Sequence, residues 1–288
     1  MLDYAVVTPA HDERENLQRL AGCMVAQTHR PSTWVIVDDG SADGTPEIVS
    51  AIRLDQPWIR LVLVPLAQGM ARGGPVVRSF TAGLETIDAL PAVVVKLDAD
   101  VSFGDDYFER LLRAFDDDPR LGMASGSAVE LEGGAWRQRF GTGTSVWGAS
   151  RAYRRDVLPV VLPLEQRMGW DAVDEHKAQL AGWSTRTLVD LPFRHHRPEG
   201  ERDRSRTQVW RAQGSVAHYL GYRPSYLVAR ALFQTRHDPA ALAMIAAFAE
   251  ATLRREPRCQ DARVRERVRG QQRLRLLPRR AREKLGRP

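Results

Sequence analysis

The chain has 288 residues, 43% of them hydrophobic and 27% charged, the make-up of a globular protein with enough length for one large domain or two small ones. Two cysteines, Cys23 and Cys259, exclude a disulfide framework and a zinc-binding spacing and point to a reducing, cytoplasmic setting; the opening residues lack the basic and apolar regions of a signal peptide, and no apolar run is long enough to span a bilayer. The formal net charge is +6, yet residues 251–288 hold 14 Lys and Arg against 4 Asp and Glu, which leaves a mildly acidic body and no case for nucleic-acid binding by it.

In chain order, Tyr4-Ala5-Val6-Val7 reads as a short buried strand ended by Thr8-Pro9-Ala10. Asp12 or Glu13 starts a helix that carries Leu17, Leu20, Ala21 and Met24 at helical spacing. Trp34–Val37 is a second strand, running into Asp38-Asp39-Gly40-Ser41. Asp43-Gly44-Thr45-Pro46 is turn chemistry with a proline suited to a first helical turn. Ile59–Val64 is a third strand, Gly73-Gly74-Pro75 opens a helix through Ile87, and Val93–Leu97 is a fourth strand. Alternation of this kind implies a parallel sheet wrapped by helices, with ligands beyond the carboxyl ends of its strands. Thr8, Asp38-Asp39 and Asp98-Asp100 all lie at such ends. Ser102–Asp105 reads as a loop. Further strands are expected at Gly122–Val129, Thr144–Trp147 and Thr185–Leu191, a helix opens at Gly169–Lys177, and helices fill residues from Gln208 to Ala251.

Val94-Val95-Lys96-Leu97-Asp98-Ala99-Asp100 is the centre of this pattern. A buried strand that ends on two unpaired carboxylates is costly. A hard divalent cation, Mg²⁺ or Mn²⁺, would neutralise them together with the oxygens of a phosphorylated substrate. The cluster Asp171, Asp174 and Glu175 falls in the first turns of its helix, where the dipole favours acids.

Together these segments resemble the family 2 glycosyltransferases. Val7–Leu17 looks like the family's first strand and loop; Val35-Ile36-Val37-Asp38-Asp39-Gly40-Ser41 with Asp43-Gly44-Thr45 is similar to its most recognisable signature; Leu97–Asp100 occupies its Asp-x-Asp position; Val146–Tyr153 and Gly169–Gly182 resemble its acceptor-side segment and acidic helix. The resemblance covers residues 3–200 and implies an α/β, GT-A fold and an inverting transfer of sugar from a nucleotide-diphospho-sugar, with uridine diphosphate the expected carrier. The acceptor it implies is a hydroxyl of a cell-surface polysaccharide or a lipid-linked glycan. It implies Asp39 at the nucleobase edge with Thr8, Ala10 and Glu13 lining the same pocket. Asp100 is the expected direct metal ligand, and Asp98 contacts ribose or reaches the metal through water. Asp171 and Asp174 compete as the acceptor base, with Glu175 beside them.

Arg72 and Arg78 flank Gly73-Gly74 at a helix start suited to phosphate. His195 or His196 completes the metal shell or touches the diphosphate, with His196 the expected ligand. Trp147 and Trp170 are candidates to stack on a sugar. The expected organisation is a transferase domain over 1–200, a helical extension over 201–253 and a basic tail over 254–288, whose Val264, Val268, Leu274 and Leu276-Leu277 among arginines suit an anionic membrane surface. The competing readings are a nucleotidyltransferase, which lacks its glycine-rich phosphate loop near residue 10, and a transferase-like protein that binds sugar or nucleotide without turnover.

Overall fold

The computed structural model describes residues 1–66, 69–70, 72–139, 144–197 and 205–273. It divides into two compact units, Met1–Arg197 and Pro198–Pro288. The first unit runs β1 (Tyr4–Ala10), α1 (Arg14–Val25), β2 (Thr33–Asp39), α2 (Thr45–Ile52), β3 (Ile59–Val64), α3 (Gly74–Glu85), β4 (Val93–Leu97), β5 (Val101–Phe103), α4 (Tyr107–Asp117), β6 (Leu121–Glu132), β7 (Ala135–Gln138), β8 (Ser150–Arg154), α5 (Leu158–Val161), α6 (Trp170–Leu180) and β9 (Ser184–His195).

One sheet collects the strands in the order β3-β2-β1-β4-β8-β6-β9-β5, with β7 paired to β6. The first four strands are parallel, as strand–helix alternation requires. β8 then runs antiparallel to both β4 and β6, so the second half of the sheet is mixed. Period-two alternation sorts the side chains into two cores. Val6, Ile36, Val93 and Val95 face α1, α2 and α4, where Leu17, Met24, Val49 and Phe108 meet them. Val7, Val35, Val37 and Val94 face α3, α5 and α6, where Phe80, Val161 and Trp170 close the other layer.

Two sequence expectations differ from the structure. Residues 145–147 lie outside any strand, and the strand of that region is Ser150–Arg154. Ser102-Phe103 belongs to the three-residue β5, which pairs with the end of β9, and is not loop. β6 and β9 pair with a register shift between Gly126 and Ser127, where Val189-Asp190-Leu191 bulges out of the ladder. Beyond that bulge Glu130 lies opposite His195.

The second unit holds α7 (Arg206–Tyr219), α8 (Pro224–Gln234), α9 (Ala243–Leu253) and α10 (Ala262–Gln271). Ala217, Leu227 and Met244 form its core. Val264 and Val268, expected in a basic tail, are buried in this unit, and Leu274, Leu276 and Leu277 lie outside the described residues. No described helix is long and apolar enough to cross a membrane.

Gly126 stands at the bulge with no room for a side chain: a Cβ there would lie 2.3 Å from the Leu191 carbonyl oxygen and 2.6 Å from Tyr107 Oη. Gly126→Ala should therefore lower stability by about 1–3 kcal/mol in urea unfolding, the usual cost of overpacking. Unchanged stability would mean the bulge is not tightly packed.

Candidate active site

The loops after β1 and β2 are stapled to each other. Asp12, in the left-handed region at φ +53°, donates its N–H to Ser41 Oγ at 2.9 Å and accepts from the Ala42 N–H at 2.8 Å. The Glu13 N–H donates to Thr45 Oγ1 at 2.9 Å, and His11 Nδ1 lies 2.7 Å from the Asp39 carbonyl oxygen. Two buried acids of this edge, Asp39 and Glu13, have basic partners, whereas the buried Asp38 accepts from the Ser41 N–H at 3.1 Å. Arg78 donates to Asp39 Oδ1 at 2.6 Å, and Arg197 makes a two-pronged pair with Glu13 at 2.8 and 2.9 Å. An open cavity of about 400 Å³ is bordered by Asp12, Glu13, Arg14, Asp43 and Arg197.

At the end of β4, the buried Lys96 Nζ donates to Asp98 Oδ1 and, at 2.9 Å, to the Gly148 carbonyl oxygen. Asp100 forms ion pairs with His195 Nε2 at 3.4 Å and Arg197 Nη1 at 3.9 Å. Asp98, Asp100 and His195 each offer a ligand atom, and these atoms lie within 4.8 Å of one another. Two carboxylates and an imidazole form a donor set that suits Mn²⁺ or Mg²⁺. On its other side His195 Nδ1 is 3.5 Å from Glu130 Oε1. Burial works against the imidazolium, but the hydrogen bonds to Asp100 and Glu130 outweigh it and push His195 up to about 10. A metal taking the Nε2 position has to displace that proton.

α6 opens at Gly169, whose φ of +91° suits glycine. Asp174 is 1% exposed and is held by Arg151 Nε and Nη2 at 3.0 and 2.6 Å and by the Tyr153 hydroxyl at 2.6 Å. Glu175 accepts from the Val146 N–H at 3.1 Å, and burial pushes it up to about 7 against the opposing pull of Arg151. Asp171 is half-buried at the same turn, and its Oδ2 lies 3.8 Å from where a Cβ on Gly148 would stand. Gly148 thus joins the Asp171 carboxylate to Lys96, and through it to Asp98.

The structure brings Glu13, Asp39, Arg78, Asp98, Asp100 and Asp171 to one edge of the sheet. Thr8 is fully buried and accepts from Trp34 Nε1 at 2.9 Å; Ala10 is buried beside it. Arg72 is exposed at the turn before α3. The imidazole standing with the two aspartates is His195, whereas His196, the sequence choice, meets Ser102 Oγ at 2.7 Å and the edge of Trp136. Neighbouring residues of a strand end point to opposite faces, and the β6–β9 bulge decides which one faces inward. Asp174 is engaged with Arg151 rather than open to an acceptor. Trp170 is buried beneath Lys96 and Arg151, and Trp147 packs on the core rather than standing as an open platform. Sequence reasoning passed over Lys96, Glu130, Arg151 and Arg197. For Lys96 a signal existed: a lysine inside an apolar strand is rarely buried without a partner.

A family model described as glycosyl transferase family 2 matches residues 5–148, half of the chain. The chain belongs to glycosyl transferase family 2. Polyprenol monophosphomannose synthase of Mycolicibacterium smegmatis is 30% identical over 175 residues, 53% of this chain and 62% of that enzyme, so the match spans less than two thirds of the relative. Among solved structures, the mannosyltransferase PcManGT from Pyrobaculum calidifontis in complex with GDP-Man and Mn²⁺ is 17% identical with a TM-score of 0.57, over 88% of this chain and 75% of that one. TarS residues 1–349 from S. aureus in complex with UDP-GlcNAc is 16% identical with a TM-score of 0.53, over 75% and 65%. These likenesses define the fold as GT-A.

Glu175 yields a pH prediction. Its folded pKa of about 7 lies above the ordinary 4.5, so between those values the folded state holds a proton that the unfolded chain has released. Stability therefore falls as pH rises through that window. Glu175→Gln, which does not titrate, should gain stability relative to wild type on going from pH 5 to pH 8 in urea unfolding. An unchanged difference between the two pH values would remove Glu175 as a perturbed group.

Proposed function

We propose that this chain is a metal-dependent, inverting glycosyltransferase that moves a hexosyl group from a nucleoside-diphosphate sugar to a hydroxyl of a lipid-linked glycan or polysaccharide. The observation that carries the reading is the link through Lys96. One ammonium contacts both Asp98 and the Gly148 carbonyl, so the candidate metal acids and the Asp171 carboxylate stand on either side of a single residue. That is the separation of duties the reaction needs: a cationic end for the leaving diphosphate and an anionic end for the acceptor proton.

Asp98, Asp100 and His195 would hold the metal ion, which when bound supplies Lewis-acid stabilisation of the diphosphate. Arg197, already beside Asp100, adds a second positive charge for the same oxygens. Asp39, with Arg78, and Glu13 border the nucleotide. Asp171 accepts the proton of the acceptor hydroxyl. The acceptor oxygen then forms a bond to the sugar's anomeric carbon as the bond to the diphosphate breaks, and the diphosphate leaves with the electron pair. A single displacement inverts that carbon.

The mannosyl relatives favour GDP-mannose as the first donor to try, ahead of the uridine diphosphate sugars that family resemblance suggests. The relative named for polyprenol supports a lipid-linked acceptor, reached from the cytoplasmic face of a membrane. The same name supports a second reading in which a polyprenyl phosphate oxygen attacks. Such a nucleophile is already ionised and needs no base.

Calorimetric titration with GDP-mannose, UDP-glucose and UDP-N-acetylglucosamine, each with and without Mn²⁺, tests the reading. One donor should bind, and Mn²⁺ should strengthen it; binding of none under either condition overturns the proposal. Asp100→Asn should lose the Mn²⁺ effect. His195→Ala should weaken Mn²⁺ by at least about tenfold, in the range typical of metal-site groups, while His196→Ala leaves it within about twofold. Asp171→Asn should keep donor binding and lose about 10²–10⁴ in transfer rate. Full transfer by Asp171→Asn to a phosphate acceptor would favour the second reading.

A further inference from the structure

Arg151 is the most deeply buried charge among the described residues, at 0% exposure, and nothing in the proposed chemistry uses it directly. It projects from β8 on the same face as Tyr153, two residues on, toward α6. Its guanidinium is filled on every side. Nε and Nη2 grip the two oxygens of Asp174 at 3.0 and 2.6 Å. Nη1 donates to the Val146 carbonyl oxygen at 2.5 Å, and Nη2 also donates to the Asp171 carbonyl oxygen at 2.5 Å. Trp170 covers it, with the guanidinium carbon 5.6 Å from the ring centroid. Burial works against this charge, but Asp174 outweighs it and holds the guanidinium above its ordinary value.

The guanidinium thus ties its own strand β8 to two other pieces of chain, the loop at Val146–Gly148 and the start of α6. Gly148 and Asp171 are the two residues whose approach defines the acceptor side of the site. We propose that Arg151, seated by Asp174 and Tyr153, is a positioning residue that fixes the Asp171 carboxylate against Gly148 without touching substrate. This rests on the reading of Asp171 as the acceptor base. A buried ion pair is weak grounds for stability, because an apolar pair of similar volume often folds as well. The fork matters for geometry instead: it bonds a carboxylate and two backbone carbonyls at once, which a lysine ammonium in its place cannot reproduce.

The test compares Arg151→Lys, the apolar pair Arg151→Met/Asp174→Leu, Asp171→Asn and the double variant Arg151→Lys/Asp171→Asn. The readouts are Mn²⁺-dependent release of nucleoside diphosphate from GDP-mannose and from UDP-N-acetylglucosamine with water as acceptor, and backbone hydrogen exchange. Arg151→Lys and the apolar pair should keep donor KM within about twofold while kcat falls by up to about 100-fold, the loss that a displacement near 1 Å produces. Exchange should rise at residues 146–148 and 169–175 and stay unchanged in β1 to β4. In the Asp171→Asn background Arg151→Lys should cost no further rate, because Arg151 acts through Asp171.

Three outcomes overturn the proposal: kcat unchanged in a folded Arg151→Lys or apolar-pair variant, exchange unchanged at both segments, or losses that add fully in the double variant. If Arg151→Lys fails to fold, the apolar pair decides. If Asp171→Asn alone is fully active, the base assignment has failed, and that is seen without any Arg151 variant.

Discussion

Lys96 lies in the central strand β4 with 3% of its side chain exposed, and an ammonium that deep is tolerated only when charge and hydrogen bonds are supplied around it. Asp98, the Gly148 carbonyl and the face of Trp170 supply them. Those three partners come from the loop after β4, the loop before β8 and the first residue of α6. The need to satisfy one cation therefore ties together segments that are far apart in sequence. Through the Gly148 carbonyl Lys96 also brings Asp98 near that loop, where a Cβ on Gly148 would lie 3.8 Å from Asp171 Oδ2. The donor and acceptor sides of the candidate site are in this sense a by-product of neutralising Lys96.

The acids at the sheet edge raise a second electrostatic issue. Read as sequence, two aspartates after a buried strand demand an outside cation. Folded, they have cations of their own: Lys96 for Asp98, and His195 with Arg197 for Asp100. Glu13 and Asp39 are paired likewise by Arg197 and Arg78. A metal ion is thus not needed to make the fold possible. Asp98, Asp100 and His195 would hold one in competition with these partners, and His195 would have to give up its Nε2 proton to do so. Glu130 on the far side of His195 helps, since it can hold the Nδ1 proton and leave Nε2 for the metal.

The strands and helices of the first hundred residues were legible because each is local: short β-branched runs, Gly and Pro punctuation, and apolar residues at helical spacing. The family signatures lie in the same stretch. The later half was harder for physical reasons. Ser-Arg-Ala-Tyr-Arg has no apolar run to mark it as a strand, and the charge it buries, Arg151, is paired by Asp174, over twenty residues away in sequence. β5 is three residues long and has no pattern to detect. Choosing between His195 and His196 required the register of β9 against β6, which depends on a three-residue bulge that adjacent sequence does not announce.

Asp171, Asp174 and Glu175 present the sharpest case of one helix turn that sequence leaves undivided. Residues three and four apart share a helix face, so all three carboxylates are plausible toward one site. The surroundings separate them. Asp174 is cancelled by the fully buried Arg151 and capped by the Tyr153 hydroxyl. Burial pushes Glu175 up to about 7 against the pull of Arg151 and the Val146 N–H, so near neutral pH it is only partly ionised. Three acids packed as anions would repel one another and raise the cost of every one. With Asp174 paired by Arg151 and Glu175 held by the Val146 N–H, the acid left beside Gly148 is Asp171, which is half-buried. A general base has to be a carboxylate that its substrate can reach, and Asp171 is half-buried while Asp174 is enclosed by Arg151 and Tyr153.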